Sequence, residues 1–241
     1  MERVFLFDVD GTLTNPREQM RPDFERPFRE LVTNNVVYLA SGSDLSKIQE
    51  QVPADILERC AGVFSSSANQ LNIGSQLVYK NELTIPEELS NFLNSSIEKS
   101  KYETKTGNHI EHRPGMINFS IVGRNANNEQ RKEYYTWDTR AQERKKIAIL
   151  LMATFPNLDV KIGGEISIDI YPEGYDKRQS VKFIKETHPD AAIRFFGDKT
   201  GENGNDYSVV ISLGDEDKVH SVRKYQETKK LILSYLKGEL F

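Results

Sequence analysis

Asp8 and Asp10 stand at the end of the apolar run Val4-Phe5-Leu6-Phe7, directly ahead of Gly11-Thr12. A carboxylate can attack phosphorus to form an aspartyl-phosphate, and a second acid can carry the proton of the leaving or attacking oxygen. The apolar run predicts a buried parallel strand, and Gly11-Thr12 the turn that leaves it. If extended geometry persists past the run, Asp8 and Asp10 project to the same side, because side chains alternate along a strand. This pattern assigns Asp8 as nucleophile and Asp10 as acid/base in phosphoryl transfer. It puts both at the carboxyl end of a strand, where open α/β sheets bind their ligands.

Asp198 repeats the arrangement. Ile193-Arg194-Phe195-Phe196 delivers it into the loop Gly197-Asp198-Lys199-Thr200-Gly201-Glu202-Asn203-Gly204-Asn205-Asp206. Mg²⁺ keeps waters and takes one or two carboxylates plus substrate phosphate, so Asp8 and Asp198 with a backbone carbonyl suffice to hold it. The loop fits neither the P-loop spacing nor the EF-hand spacing, which argues against nucleotide and calcium readings.

The elements that must position these acids follow from the pattern. Asp23 to Asn34 reads as a helix whose regular part starts at Pro27, and Val36 to Ala40 as a second strand. Ser41-Gly42-Ser43-Asp44 ends that strand, with Ser43 the expected N-cap of a helix over residues 44–51. Gly62-Val63-Phe64 reads as a third strand, and Gln70 to Lys80 as a hairpin turning at Gly74-Ser75. From Asn81 the style changes to α+β: a helix over residues 86–100, alternating strands, and a helical stretch from Glu129 to Thr154 with a break expected near Trp137-Asp138.

Within that part, Ile166, Ile168 and Ile170 share one face and Ser167, Asp169 and Tyr171 the other. Asn118 and Ser120 likewise oppose Ile117, Phe119 and Ile121. Taken alone, such a polar face reads as solvated. After Gly174-Tyr175-Asp176-Lys177 the parallel-sheet style returns, with a helix from Arg178, a strand over Ala192 to Phe196, and an amphipathic helix over residues 219–236. The expected fold is α/β: a Rossmann-like parallel-sheet core made of residues 1–80 and 177–241, with an inserted α+β domain of antiparallel sheet plus helices over residues 81–176.

The 241 residues carry 37% hydrophobic composition, enough for a packed core, and a net charge of -4, which leaves no basic footprint for nucleic acid. No apolar run approaches the roughly 20 residues of a membrane span. A single cysteine, Cys60, allows no intrachain disulfide, so a reducing cytoplasm is the expected setting.

Taken in order, Asp8-x-Asp10-Gly11-Thr12, Ser41-Gly42-Ser43, Lys177, and Gly197-Asp198 with Asn205-Asp206 resemble the haloacid dehalogenase (HAD) superfamily of aspartate-nucleophile phosphotransferases. The resemblance implies that Ser41, or the neighbouring Ser43, holds the transferring phosphoryl group together with Lys177. It implies Mg²⁺ on Asp8, the Asp10 carbonyl and Asp198, with Asn205 and Asp206 behind them. By default, Lys177 on its own would be a surface lysine.

The inserted part carries Glu111-His112-Arg113-Pro114-Gly115-Met116-Ile117-Asn118, Gly123-Arg124, Arg131, and residues 163–177 from Gly163-Gly164 to Asp176-Lys177. Here the chain resembles the eukaryotic-type phosphomannomutases along nearly its whole length. That likeness implies interconversion of mannose 6-phosphate and mannose 1-phosphate, with a hexose 1,6-bisphosphate as activator, feeding GDP-mannose formation. It makes Arg17, Arg113, Arg124 and Arg131 substrate-phosphate ligands and Ser167, Asp169 and Asn118 sugar contacts, as guanidinium forks suit phosphate and polar side chains suit hydroxyls. It also implies a homodimer joined through the inserted domains. Ala68-Asn69-Gln70 replaces that family's Glu-Asn-Gly and Ser41 its usual Gly, which leaves a Mg²⁺-dependent sugar-phosphate phosphatase as the alternative.

Overall fold

The computed structural model describes residues 2–202 and 204–239, so Asn203 of the acidic loop and the last residues of the expected third segment lie outside the described residues. The chain forms two compact units. One comprises Met1–Lys80, Asp176–Glu202 and Asp206–Phe241; the other comprises Asn81–Tyr175 with Asn203–Asn205.

In chain order, the first unit begins with β1 (Arg3–Phe7), α1 (Pro22–Asn34), β2 (Val36–Ala40), α2 (Leu45–Gln51), α3 (Ala54–Arg59), β3 (Gly62–Ser65), β4 (Gln70–Ile73) and β5 (Gln76–Lys80). The second unit contains α4 (Glu87–Lys99), β6 (Ile110–Arg113), β7 (Met116–Phe119), α5 (Asn128–Ala141), α6 (Glu143–Thr154), β8 (Leu158–Gly163) and β9 (Ser167–Pro172). The first unit then resumes with α7 (Arg178–Thr187), β10 (Ala192–Gly197), α8 (Tyr207–Val210), β11 (Lys218–Ser221) and α9 (Tyr225–Leu236).

The first unit is built on a seven-stranded sheet of order β11-β10-β1-β2-β3-β4-β5, parallel from β11 to β3 and antiparallel beyond. β1 lies between β10 and β2, so it is apolar on both faces. Phe5 and Phe7 pack with α1 residues Phe24, Phe28 and Leu31 and with Ile232 of α9, while Val4 and Leu6 pack with Val181 and Ile184 of α7. The Phe7 ring stacks on Phe196 at 4.6 Å and meets Phe28 edge-on at 5.2 Å. Truncating such a ring costs about 3–5 kcal/mol, which makes β1 a rigid mount for whatever follows it.

Three local expectations change. α1 starts at Pro22 rather than Pro27; Pro27 lies inside the helix and is buried. Pro22 occupies the start of the helix, where a missing N–H is harmless, and burial of Phe24 and Phe28 outweighs the one bond that Pro27 cannot give to the Asp23 carbonyl. The N-cap of α2 is Asp44, whose carboxylate accepts from Lys47 N–H at 3.0 Å, because the Ser43 hydroxyl is engaged elsewhere. Residues 218–221 form the parallel edge strand β11 before α9 begins, so the expected terminal helix is shorter by that strand.

The second unit is a four-stranded antiparallel sheet of order β6-β7-β9-β8. One face, with Ile117, Phe119, Ile168 and Ile170, packs on Leu89 and Leu93 of α4, Tyr134 of α5 and Ile147 and Leu151 of α6. The helical break falls at Gln142, left-handed at φ 53°, and not at Trp137-Asp138: Asp138 stays helical and buried because its carboxylate binds Arg144. The opposite face is polar but not solvated, since Asn118, Ser167, Asp169 and Tyr171 are all buried. No helix among the described residues is long and apolar enough to cross a membrane.

Candidate active site

In the first unit, the strand ladder carries Asp8 just past β1: its N–H donates to the Phe196 carbonyl at 2.9 Å. Gly11 turns the chain with φ +91°, and a side chain there would overlap the Asp198 carboxylate. That close approach is the physical reason for a glycine behind the two acids. Both oxygens of Asp8 are engaged, Oδ1 by Lys177 Nζ at 2.6 Å and Oδ2 by the Thr12 hydroxyl at 3.0 Å.

Lys177 is no surface lysine; its side chain is 0% exposed and also donates to Asp206 Oδ1 at 2.6 Å. It precedes α7, whose first turn is anchored by Asp176 accepting from Arg178 N at 2.9 Å and from the Arg178 fork. Asp206 Oδ2 accepts from Lys199 N at 3.1 Å, which folds the loop after β10 back on itself. Oxygens of Asp8, Asp198 and Asp206 all lie within 4.8 Å of one another. Asp206, expected behind the metal ligands, thus has a carboxylate oxygen close to those of Asp8 and Asp198. Asn205 belongs with the second unit, where its Oδ1 is buried without a hydrogen-bond partner among the described residues.

The electrostatics show an excess of negative charge. Burial, with the charges of Asp206 and Asp198, pushes Asp8 up to about 8 against the pull of Lys177. Burial also lifts Asp198 to about 6, with Asp206 and Asp10 adding and Lys199 and Lys177 opposing. Burial would favour a neutral Lys177, yet Asp206 and Asp8 hold it above the ordinary lysine value. Three close carboxylates around one ammonium make a donor set that suits a hard divalent cation.

Asp10 is held by donors on both oxygens. Oδ1 accepts from Gln51 Nε2 at 2.7 Å and from Arg17 N at 3.0 Å, and Oδ2 accepts from the Ser43 hydroxyl at 3.1 Å. Arg17, expected as a phosphate ligand, is exposed, and what it gives the site is the N–H of a left-handed backbone, φ 65°. The Ser41 hydroxyl accepts from Ser43 N at 3.0 Å, which leaves its own proton to donate.

Ser66, Ser67 and Ala68 support this loop with successive left-handed backbones at φ 50°, 57° and 65°, a conformation that costs roughly 1–2 kcal/mol per L-residue. The strained turn clamps the Ser41–Ser43 loop: Ser66 N donates to the Ser43 carbonyl at 2.8 Å and Ser67 N to the Ser41 carbonyl at 2.9 Å. Asn69 Nδ2 closes the turn on the Ser66 carbonyl at 2.9 Å.

In the second unit, Glu111 Oε2 accepts from Arg113 Nη2 at 2.6 Å and from Arg124 Nε at 2.9 Å. Arg131 donates to the Ala126 carbonyl at 2.9 Å and to the Arg124 carbonyl at 3.2 Å. Three of the four expected phosphate arginines are thus connected, Arg113 and Arg124 through Glu111 and Arg131 through the Arg124 carbonyl. Glu111 pairs across strands with Asn118, and Asn118 with Asp169, so these side chains share the polar face. Asn118 Nδ2 donates to Asp169 Oδ1 at 2.5 Å, and the Ser167 hydroxyl to the Gly163 carbonyl at 3.2 Å.

Sequence reasoning missed Thr12, Gln51 and Glu111 as members of these clusters. Thr12 could have been read from its place in the turn, and Glu111 from sharing a strand face with Arg113. Gln51 carries no local signal.

A family model for eukaryotic phosphomannomutase matches residues 24–237. The phosphomannomutase of Spinacia oleracea is 34% identical over 235 residues, covering 94% of this chain and 93% of the spinach protein. That of Arabidopsis thaliana is 38% identical over 221 residues, covering 87% of each. Among solved structures, the C-terminal domain of the C. albicans trehalose-6-phosphate phosphatase matches with a TM-score of 0.65 at 18% identity, over 100% of this chain and 93% of that one. A HAD subclass IIB sugar phosphatase matches with a TM-score of 0.61 at 14% identity, over 99% of this chain and 100% of that one. Both structural likenesses bear on the fold, a parallel-sheet HAD core with a separate antiparallel sheet.

Proposed function

The chain belongs to the eukaryotic phosphomannomutase family, and from that membership we propose that it interconverts mannose 6-phosphate and mannose 1-phosphate through an aspartyl-phosphate. The observation that carries this reading is the grouping of Asp8, Asp198 and Asp206 around the buried Lys177, with Asp10 held beside Asp8 in sequence by three donors. Asp8, Lys177 and Asp206 are buried charges, each costly to take out of water, which supports a chemical role for the group.

In the proposed cycle an Asp8 oxygen attacks one phosphorus of a hexose 1,6-bisphosphate. The new O–P bond forms as the ester O–P bond breaks, and Asp10 gives its proton to the departing sugar oxygen. A sugar monophosphate then binds, its hydroxyl returns a proton to Asp10, and its oxygen takes the phosphoryl group from Asp8. Because the group leaves one end of the bisphosphate and joins the opposite end of the incoming monophosphate, the bisphosphate is regenerated and, net, a 1-phosphate has become a 6-phosphate or the reverse. Lys177 neutralises charge beside Asp8, and the Ser41 hydroxyl donates to the moving phosphoryl group. Arg113, Arg124 and Arg131 take the phosphate that does not react, Ser167 and Asp169 the sugar hydroxyls.

Asp8, Asp198 and the Asp10 carbonyl, with Asp206 beside them, would hold Mg²⁺, which supplies neutralisation of the phosphoryl oxygens. A single acid/base contributes about 10²–10⁴ in rate, far below the accelerations known for phosphate-monoester cleavage, so fixed cations must carry much of the remainder. The nucleophile is tested with radiolabelled hexose 1,6-bisphosphate: the wild-type chain should take up label and Asp8→Asn should not. Label on Asp8→Asn would remove Asp8 from the role.

A further inference from the structure

Arg144 is a buried cation with no part in the cycle above. The left-handed corner at Gln142 folds α6 back on the end of α5, and Arg144 meets Asp138 twice, through its N–H to Oδ1 at 3.0 Å and its Nε to Oδ2 at 2.7 Å. Both side chains are almost closed to solvent, at 6% and 7% exposure. Fold stability alone would be served by this pair. The guanidinium does more: Nη1 reaches the turn between β8 and β9 and donates to the Gly163 and Gly164 carbonyls, each at 3.2 Å, with the Ser167 carbonyl at 3.4 Å. A planar fork serves a carboxylate along one edge and carbonyls along another in one fixed geometry, whereas a lysine is a compact charge on a flexible stem that holds no such geometry.

The Gly163 carbonyl is the link to chemistry. It also accepts the Ser167 hydroxyl, at 3.2 Å. A carbonyl can only accept, so the Ser167 proton is committed and only its lone pairs are left for a ligand. Gly163 lies too close to the sugar-face side chains to carry one of its own, because a Cβ there would stand 2.6 Å from Asp169 Oδ2. Asn118 spends an amide N–H on Asp169, and its Oδ1 is buried with no partner among the described residues. Ser167, Asp169 and Asn118 therefore present acceptors on one sheet face.

We propose that Arg144 is a positioning residue: acting through the Gly163 carbonyl, it fixes Ser167 as a hydrogen-bond acceptor, so the sugar hydroxyl bound at this face must donate. This rests on the reading that Ser167 and Asp169 contact the sugar.

The experiment uses hexose 6-phosphates in which each ring hydroxyl in turn is replaced by hydrogen or by fluorine, which can accept but not donate. For the wild-type chain, one ring position should show at least a tenfold rise in KM with both replacements, equal within a factor of two. In Arg144→Lys the KM of the parent sugar phosphate should rise about tenfold and the replacement penalty should fall below threefold. Turnover of a small activated aryl phosphate should stay within twofold.

Fluorine tolerated where hydrogen is not would make Ser167 a donor and overturn the proposal. So would an Arg144→Lys variant that loses the same factor on both substrates with the analogue ratio unchanged, since that is the signature of a merely structural ion pair. If Arg144→Lys does not fold, Ser167→Ala takes its place. It should abolish the analogue penalty, and a penalty that persists overturns the proposal. Absence of sugar-phosphate turnover in the wild type counts against the mutase reading instead, and calorimetric binding of the same analogues then reads the acceptor claim directly.

Discussion

Lys177 Nζ lies 2.6 Å from Asp8 Oδ1, and the two side chains are 0% and 5% exposed. The same ammonium lies 2.6 Å from Asp206 Oδ1, whose side chain is also 0% exposed. One cation thus compensates two buried acids, one at the end of β1 and one at the start of α8.

Removing that cation strands both acids in a site with little solvent. Lys177→Met should lower stability by about 3–5 kcal/mol, the usual cost of breaking a buried ion pair, besides abolishing turnover. Lys177→Met combined with Asp206→Asn should recover part of the stability and none of the activity. Urea unfolding checks this, and a single variant as stable as wild type would contradict the compensation.

Gln51 donates to Asp10 Oδ1 at 2.7 Å and is itself buried, with Oε1 lacking a partner among the described residues. The amide nitrogen faces Asp10 and donates to it. Gln51→Met should leave phosphorylation of Asp8 by an activated aryl phosphate intact, since that leaving group needs no proton. It should slow release of the phosphoryl group by roughly 10- to 100-fold, part of the 10²–10⁴ that a full acid/base contributes. Rapid-quench burst kinetics separate the steps; equal slowing of both would remove Gln51 from the support of Asp10.

Asp44 caps α2, accepting from Lys47 N at 3.0 Å, Lys47 Nζ at 2.6 Å and the Ser46 hydroxyl at 2.7 Å. Burial acts to raise its carboxyl, but these donors outweigh burial and hold it down at about 2. Asp44→Ala should cost about 1 kcal/mol at neutral pH. The folded value lies below the unfolded value of about 3.9, so the contribution is complete above that pH and is lost as pH falls through the folded value. The stability gap between wild type and variant should begin to shrink below about pH 4; a gap unchanged down to pH 3 would count against the cap.

Strand-end acids were legible in the sequence because a short apolar run followed by a turn marks both the strand and the place where it stops. Asp8, Asp10 and Asp198 announced themselves this way. Gln51 did not, since its contact with Asp10 spans 41 residues and depends on how α2 packs. The α5–α6 corner was misplaced because residues 138–146 hold a single apolar residue, Ala141, so no apolar pattern marks where one helix ends and the next begins. Only the left-handed Gln142 and the Asp138–Arg144 pair break the helix there. Alternation along β7 and β9 identified which residues share a face, but not that Asn118, Ser167 and Asp169 are shut off from water.

The most direct measurement supplies mannose 1-phosphate with Mg²⁺ and a trace of hexose 1,6-bisphosphate and follows products by phosphorus NMR. The account predicts mannose 6-phosphate as the accumulating product, with little inorganic phosphate and no conversion by Asp8→Asn. Stoichiometric inorganic phosphate without mannose 6-phosphate would contradict it and make the chain a sugar-phosphate phosphatase.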